Sequence, residues 1–257
     1  MKRFVSVGFA FAICFSTANL VLSQTVSPAQ SPVRPLGLQP IGPVMLNGSD
    51  ARSREFNSSI LPQVNAIIRE KLRSGKVFDD LGTFPLDADK LLMPYAAQRP
   101  IRIYFIDEGA GYQNTLGFTY SLVGSDDQGT EVLLFPNASK AASGSNSWNL
   151  GTPQTERTSS QPLNTGDFLD IGSGGPGWQL DFFIISQGAT GGQHKLWADK
   201  SRNMDKTQHV VAFQIPNSTY LIISFEDMLY GGDADYEDLI LVADIGFDYQ
   251  RPFILPQ

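Results

Sequence analysis

Cysteine is nearly absent from this sequence, which has a single cysteine, Cys14, among 257 residues. Cys14 lies in the apolar N-terminal stretch, so the rest of the chain has no thiol for disulfide formation or nucleophilic chemistry. A secreted domain without disulfides needs another source of rigidity, and a bound metal ion is one candidate.

Histidine is also scarce, with only His194 and His209 in the chain. A lone histidine is more often a structural residue than a general base, and we expect a structural role for His209 at the start of a strand. No Gly-x-Ser-x-Gly elbow and no His-Glu-x-x-His run occurs, so a hydrolase triad and a zinc protease site both lack an anchor. We therefore predict a protein that is not an enzyme, with no catalytic residues and no site for an organic cofactor.

Basic residues are missing from the C-terminal part of the chain, because no Lys or Arg occurs between Thr207 and Gln250. The chain as a whole has 19 Lys and Arg against 26 Asp and Glu, with a formal net charge of −7. The acidic residues of this stretch are Glu226, Asp227, Asp233, Asp235, Glu237, Asp238, Asp244 and Asp248. Nucleic acids and anionic membranes attract basic patches, so this distribution argues against both as partners.

The N-terminal stretch has the pattern of a secretory signal peptide. Lys2 and Arg3 precede an apolar run that ends in small residues. We expect a secreted protein, extracellular, at the cell surface or periplasmic, with no transmembrane span after cleavage. The segment that follows is rich in Pro, Ser, Gln and Gly, which predicts a flexible linker. The predicted divisions are residues 1–23 (signal peptide), 24–52 (linker), 53–99 (helical and extended lead-in), 100–250 (β-sandwich domain) and 251–257 (tail).

One segment has helical periodicity, "SSILPQVNAIIREKLRSGK". Its apolar residues recur every three or four positions, and Ser58 or Ser59 can cap its start and Gly75 its end. We favour a helix packed on the edge of the domain. A helix that binds a partner or a second copy is the alternative.

The chain after residue 100 reads as a series of strands separated by Gly, Pro and Asn. Apolar residues alternate with polar ones in most of these segments, and residues 137–166 form a long polar loop between them. Strands at this spacing predict an all-β fold, mainly antiparallel: a β-sandwich with one N-terminal edge helix. The predicted strands lie within "RPIRIYFIDEG", "LGFTYSLVG", "EVLLFP", "DFLDIG", "WQLDFFIISQG", "HVVAFQI", "TYLIISFED" and "DLILVADIG".

The loop "GGDADYEDL" concentrates carboxylates at alternating positions before the last strand. Ca²⁺ takes about six to eight oxygen ligands and tolerates irregular geometry, so this loop is a candidate calcium site. It is not an EF-hand, because a strand follows it instead of a helix and the glycine expected at the sixth position is missing. A solvated acidic turn is the alternative. The density of acids and the strand that begins directly after Asp238 favour the metal.

Four stretches together resemble a known family: "YFIDEGAGYQNTLGFTY", "LFPNAS", "FFIISQG" and "SFEDMLYGGDADYEDLILVADIG". They are similar to the bacterial exported module called the domain of unknown function 4114, over about residues 100–246. Met228 stands where that family's motif has Leu, and Glu237 stands where Asn is usual. The resemblance implies a β-sandwich on a secreted, surface or matrix protein, often beside adhesion modules.

Transferring the acidic motif implies a calcium site of Glu226, Asp227, Asp233, Asp235 and Asp238. Glu108 and Asn114, on the neighbouring hairpin, are further ligand candidates. We expect a structural, adhesive or extracellular-matrix role, with a surface glycan or a matrix protein as partner.

Two alternative functions use other residues. Trp148, Trp178 and Trp197 lie in Gly- or Ser-rich surroundings, where exposed rings can stack on sugars in a carbohydrate-binding module. Buried rings at the ends of the sandwich are the simpler interpretation. Paired carboxylates among Asp107, Glu108 and Glu226 can serve a glycoside hydrolase, although nothing in the sequence brings them together.

Overall fold

A computed structural model describes residues 30–72, 91–92, 100–122, 129–140, 162–173 and 178–246. Within these residues ten strands form two five-stranded sheets, and every pairing of named strands is antiparallel. The predicted all-β sandwich with one N-terminal helical segment is confirmed. The predicted signal peptide and the predicted C-terminal tail lie outside the described residues. Among the described residues, no helix has the length and apolarity to cross a membrane.

Sheet 1 has the order β1-β6-β3-β4, with β7 also paired to β6. Its strands are β1 (Leu91–Leu92), β3 (Thr115–Leu122), β4 (Val132–Phe135), β6 (Trp178–Ile185) and β7 (Lys195–Trp197). The two long strands β3 and β6 pair along their whole length, from Thr115 opposite Ile185 to Leu122 opposite Trp178. Strand β7 has only three residues, too few for an alternating apolar pattern, so the sequence does not predict it.

Sheet 2 has the order β5-β2-β10-β9-β8. Its strands are β2 (Ile101–Asp107), β5 (Phe168–Gly172), β8 (Val210–Gln214), β9 (Tyr220–Phe225) and β10 (Leu239–Asp244). Strand β10 lies in the middle of the sheet between β2 and β9. Both ends of the turn that joins β9 to β10 are therefore held by a central strand pair.

The main core lies between the two sheets. Alternate residues of β3 and β6, such as Phe118 and Phe182, face Ile103, Phe105 and Ile223 of sheet 2 across it. These side chains are at most 1% exposed. Burial of a large apolar side chain stabilises a fold by about 1.5–3 kcal/mol, so this layer supplies the dominant stabilisation.

The helical segment covers the outer face of sheet 2. It comprises α1 (Ala51–Glu55), a π-helical turn (Phe56–Ile60) and α2 (Leu61–Lys71). Phe56 stacks on Tyr104 of β2, with ring centroids 3.8 Å apart, and Val64 is fully buried in the same layer. The helix thus packs on the face of the sheet rather than on an edge strand, which explains why both faces of β9 and β10 are apolar.

The start of the helix differs from the prediction. Asp50 is the N-cap: its Oδ1 accepts a hydrogen bond from the Ser53 N–H at 2.7 Å, and the Ser53 side chain bonds back to Asp50. The predicted cap residues Ser58 and Ser59 lie inside the helical segment instead. The helix starts at Asp50 rather than at Ser58 or Ser59 because Asp50 and Ser53 form a capping box, in which each side chain accepts a hydrogen bond from the other residue's N–H. The predicted end at Gly75 lies outside the described residues.

Residues 30–50 run against the sandwich, in the segment for which the composition predicts a flexible linker. Pro40 bridges Leu133 of β4, and Met45 bridges Phe168 of β5. Val44 belongs to the main core. Proline and glycine content predicts a flexible segment. The backbone hydrogen bonds of these two bridges and the buried Val44 instead attach the segment to both sheets.

Candidate metal centre

The acidic turn between β9 and β10, residues 226–238, lies at one end of sheet 2. Its base is closed by the Asp238 N–H, which donates to the Phe225 carbonyl at 3.2 Å. Tyr230, Ala234 and Tyr236 all have φ between 56° and 64°, a region that non-glycine residues rarely occupy. Such backbone is costly and concentrates at functional sites, so the turn is a candidate site on its conformation alone.

The structure brings together the five acidic residues that the sequence singled out in this turn. Glu226, Asp227 and Asp238 form one group, and Glu226, Asp233 and Asp235 form the other. Within each group the nearest carboxylate oxygens all lie within 4.8 Å of one another. Glu226 belongs to both groups and thus stands at the centre. A cluster of this kind can hold a metal ion.

Backbone donors fix the central carboxylate. Glu226 Oε1 accepts from the Met228 N–H at 3.3 Å, and Oε2 accepts from the Ala234 N–H at 3.1 Å. Gly232 passes close to this carboxylate, since a Cβ added there would lie 2.0 Å from Glu226 Oε1. The Gly231-Gly232 pair therefore gives the turn room to wrap around Glu226.

Asp227 is held by a residue from the other sheet. The Asn114 Nδ2 donates to Asp227 Oδ2 at 2.6 Å, and Asp238 Oδ2 accepts from the Asp227 N–H at 2.8 Å. Asn114, at the start of β3, is fully buried. Asn114 therefore contacts an acidic residue of the cluster, and its predicted role as a metal ligand stays a prediction.

The electrostatics of the cluster favour partners of positive charge. Burial raises the pKa of Glu226, and the nearby charge of Asp233 raises it further. Burial likewise raises the pKa of Asp227, and burial with the Asp227 and Glu226 charges raises that of Asp238. Desolvation and like-charge repulsion both disfavour the ionised form, so the cluster gains free energy by taking up a proton or a cation.

Glu108 lies outside both groups of carboxylates. It is buried just after β2, and its Oε2 accepts from the Lys140 N–H at 3.4 Å. The same hairpin reaches the turn through its backbone instead, since the Gly109 N–H donates to the Glu237 carbonyl at 3.1 Å. A role for Glu108 as a ligand stays a prediction.

Asp205 and His209 support the turn, and sequence reasoning missed Asp205. Asp205 Oδ2 accepts from the Tyr230 N–H at 2.7 Å and lies 3.0 Å from His209 Nε2. Burial opposes the charge of Asp205, but the hydrogen bonds from Tyr230, Thr207 and His209 outweigh it and lower its pKa to about 2. The buried His209 thus makes a structural contact to Asp205.

Two of the tryptophans are engaged with other side chains. Trp197 is 6% exposed, with its ring centroid 4.6 Å from that of Phe183, and the Arg202 guanidinium lies 3.2 Å from its ring centroid. Trp178 is half-buried with its ring against Tyr120, 5.1 Å between centroids. Trp148 lies outside the described residues.

Comparison with known families finds a match to the C-terminal part of the sandwich. Residues 175–245 match the family Domain of unknown function (DUF4114). The DUF4114 segment contains strands β6–β10 and the whole acidic turn, whereas the resemblance predicted from sequence begins near residue 100. No curated protein and no solved structure matches the chain. The match is confined to this segment, and the family's description assigns no activity.

Proposed function

We propose that this protein is a non-catalytic, calcium-binding β-sandwich module with a structural or adhesive role outside the cytoplasm. The observation that carries the proposal is the convergence of four acidic side chains around Glu226, five carboxylates in all. They lie in a stretch of sequence without a lysine or arginine. A cation is the partner that relieves both their burial and their mutual repulsion.

The chemistry of the donors favours a hard cation. Both groups consist of carboxylates alone, with no histidine or cysteine among their members. Zn²⁺ prefers nitrogen and sulfur ligands, whereas Ca²⁺ and Mg²⁺ prefer oxygen. Ca²⁺ accepts more ligands in less regular positions than the octahedral Mg²⁺, which suits carboxylates spread over an irregular turn. Glu226, Asp227, Asp233, Asp235 and Asp238 are the residues that would hold it.

The ion would act on the fold rather than on a substrate. It would join the two ends of the turn between β9 and β10, and through Asn114 it would tie sheet 2 to the start of β3 in sheet 1. A surface or matrix protein has to persist without the protection of the cell. A bound ion would supply the rigidity that this sandwich does not obtain from disulfides.

Calcium titration tests the proposal. Thermal unfolding of chelator-treated protein is followed as Ca²⁺ is added, in the wild type and in the Asp233→Asn/Asp235→Asn variant. When free Ca²⁺ exceeds its Kd a hundredfold, binding adds about 2.7 kcal/mol to the free energy of unfolding, so the wild-type Tm rises. The double variant is expected to respond weakly or not at all.

The matched control is Glu55→Gln/Glu70→Gln. It also removes two negative charges, but from exposed positions of the helical segment. This variant should respond to Ca²⁺ as the wild type does. An unchanged wild-type Tm, or an equal loss of response in the control, contradicts a specific site. Mg²⁺ at the same concentration tests the preference between the two ions.

A further inference from the structure

An open cleft of about 400 Å³ lies beside the metal centre. One wall is the turn after β6, with Ser186, Gln187 and His194, and the other includes Met228 and Leu229 of the acidic turn. Tyr112 and Asp227 complete the parts of the lining that matter here. The volume lies within the range of about 300–1,000 Å³ that is typical of small-molecule sites.

The walls of this cleft are held in place by backbone hydrogen bonds and by Asn114. Asn114 Oδ1 accepts from the Gln187 N–H at 3.1 Å, while its Nδ2 donates to Asp227. One buried amide thus fixes both walls. The Ser186 N–H donates to the His194 carbonyl at 3.0 Å, which closes the turn. A substitution of the His194 side chain leaves that bond intact, because only the His194 carbonyl takes part in it.

We infer that this cleft binds a neutral saccharide, a site distinct from the tryptophans. Tyr112 and His194 line the cleft, and aromatic rings of this kind can stack on the C–H face of a sugar ring. The Gln187 amide and the Ser186 hydroxyl both donate and accept hydrogen bonds, as ring hydroxyls require. An apolar side chain, Met228, is 47% exposed beside them. This mixture of flat apolar and two-way polar groups matches a sugar.

Other ligand classes fit the lining less well. An anionic ligand would find no cationic side chain to pair with, because the described lining residues include no lysine or arginine. A purely apolar ligand would cover the polar groups of Ser186 and Gln187 without satisfying them, which costs free energy. A protein partner needs about 800 Å² on each side, far more than such a cleft offers.

Binding to a panel of neutral oligosaccharides of glucose, galactose, mannose, xylose and N-acetylglucosamine tests the inference. The full chain is assayed by titration calorimetry in Ca²⁺ and in chelator. Binding of at least one member is expected, weakened about tenfold by His194→Ala and by Tyr112→Ala. Tyr112→Phe, which keeps the ring, should bind nearly as the wild type does. His194→Ala keeps the test valid if Tyr112→Ala fails to fold.

The control variants are Tyr120→Ala and Trp178→Ala, which remove aromatic rings outside the cleft. Both should bind as the wild type does. No binding to any member, binding that survives the two alanine variants of the cleft, or binding lost with Trp178→Ala overturns the inference. The inference goes beyond the proposed calcium role, and the two fail separately: sugar binding is read by heat of titration, and the calcium role by the change in Tm.

Discussion

Gly232 is the single residue on which the shape of the acidic turn most depends. Its φ of 47° and ψ of −124° lie in a region that side chains do not tolerate. Its backbone also passes so close to Glu226 that any Cβ would overlap the carboxylate. Conformation and space thus both require glycine here, and the position of the central carboxylate follows from it.

Gly232→Ala is expected to lower the free energy of unfolding by about 2–3 kcal/mol and to weaken the calcium response. The added methyl group displaces the Glu226 carboxylate. The measurement is chemical denaturation with and without Ca²⁺. Gly48→Ala is the matched control, since Gly48 has φ of 74° but open space around it, so only the backbone cost of about 1 kcal/mol is expected. Equal effects of the two variants would contradict the steric argument.

At this scale the acidic residues could be predicted from the sequence, but their support could not. The carboxylates lie close together along the chain, so their spacing alone indicated a cluster. The Asp205 carboxylate accepts a hydrogen bond from Tyr230, which lies 25 residues later in the sequence. No local sequence pattern connects residues so far apart. The role of Asn114 was suggested only by family resemblance.

At the scale of elements, ion pairs fasten the helix to sheet 2. The Arg52 Nη2 lies 2.7 Å from Asp244 Oδ2, and the Asp244 side chain is fully buried at the end of β10. Arg102 of β2 reaches the cap residue Asp50 at 2.8 Å. The start of the helix is thus attached to the two central strands by charge as well as by the stacking of Phe56.

Arg52→Ala is expected to lower the free energy of unfolding by about 3 kcal/mol. The substitution takes a charged partner from a buried carboxylate, which is costly even though Thr219 also bonds to Asp244. Denaturant unfolding measures the change. Arg54→Ala, on the exposed side of the same helical turn, should change stability by less than about 0.5 kcal/mol. A small effect of Arg52→Ala would contradict a stabilising role for the ion pair with Asp244.

The elements were predicted well where burial produces a regular pattern. Long strands such as β3 and β6 carry many apolar residues, and their existence follows from the sequence. The three-residue β7 is too short for any periodicity. The helix begins at Asp50, before its apolar repeat, because capping and not hydrophobicity sets the start. The packing of residues 30–50 depends on bonds to distant strands, which composition cannot show.

At the scale of the whole molecule, the acidic cluster links stability to pH. The carboxyl pKa values of Glu226, Asp227 and Asp238 are raised in the fold without metal. Between the ordinary carboxyl pKa of about 4 and these raised values, the folded state binds more protons than the unfolded state. Stability from this cluster therefore falls as pH rises across that window, unless a cation replaces the protons.

The gain in Tm on adding Ca²⁺ is accordingly expected to grow from pH 5 to pH 8. Protons and Ca²⁺ compete for the same oxygens, so the ion contributes most where the protons are lost. The test is a thermal unfolding series in saturating Ca²⁺ and in chelator at each pH, and the difference between the two removes the titration of unrelated groups. A gain that is constant or shrinks with rising pH would contradict the competition.

Residues 30–50 have a consequence for self-association. Strands β4 and β5 are the edge strands at which Pro40 and Met45 add backbone hydrogen bonds. An open edge strand invites pairing with another chain, and a covered one does not. Residues 30–50 therefore protect these two edges from edge-to-edge aggregation. Removal of residues 1–50 is expected to lower the solubility of the protein even where both sheets still form.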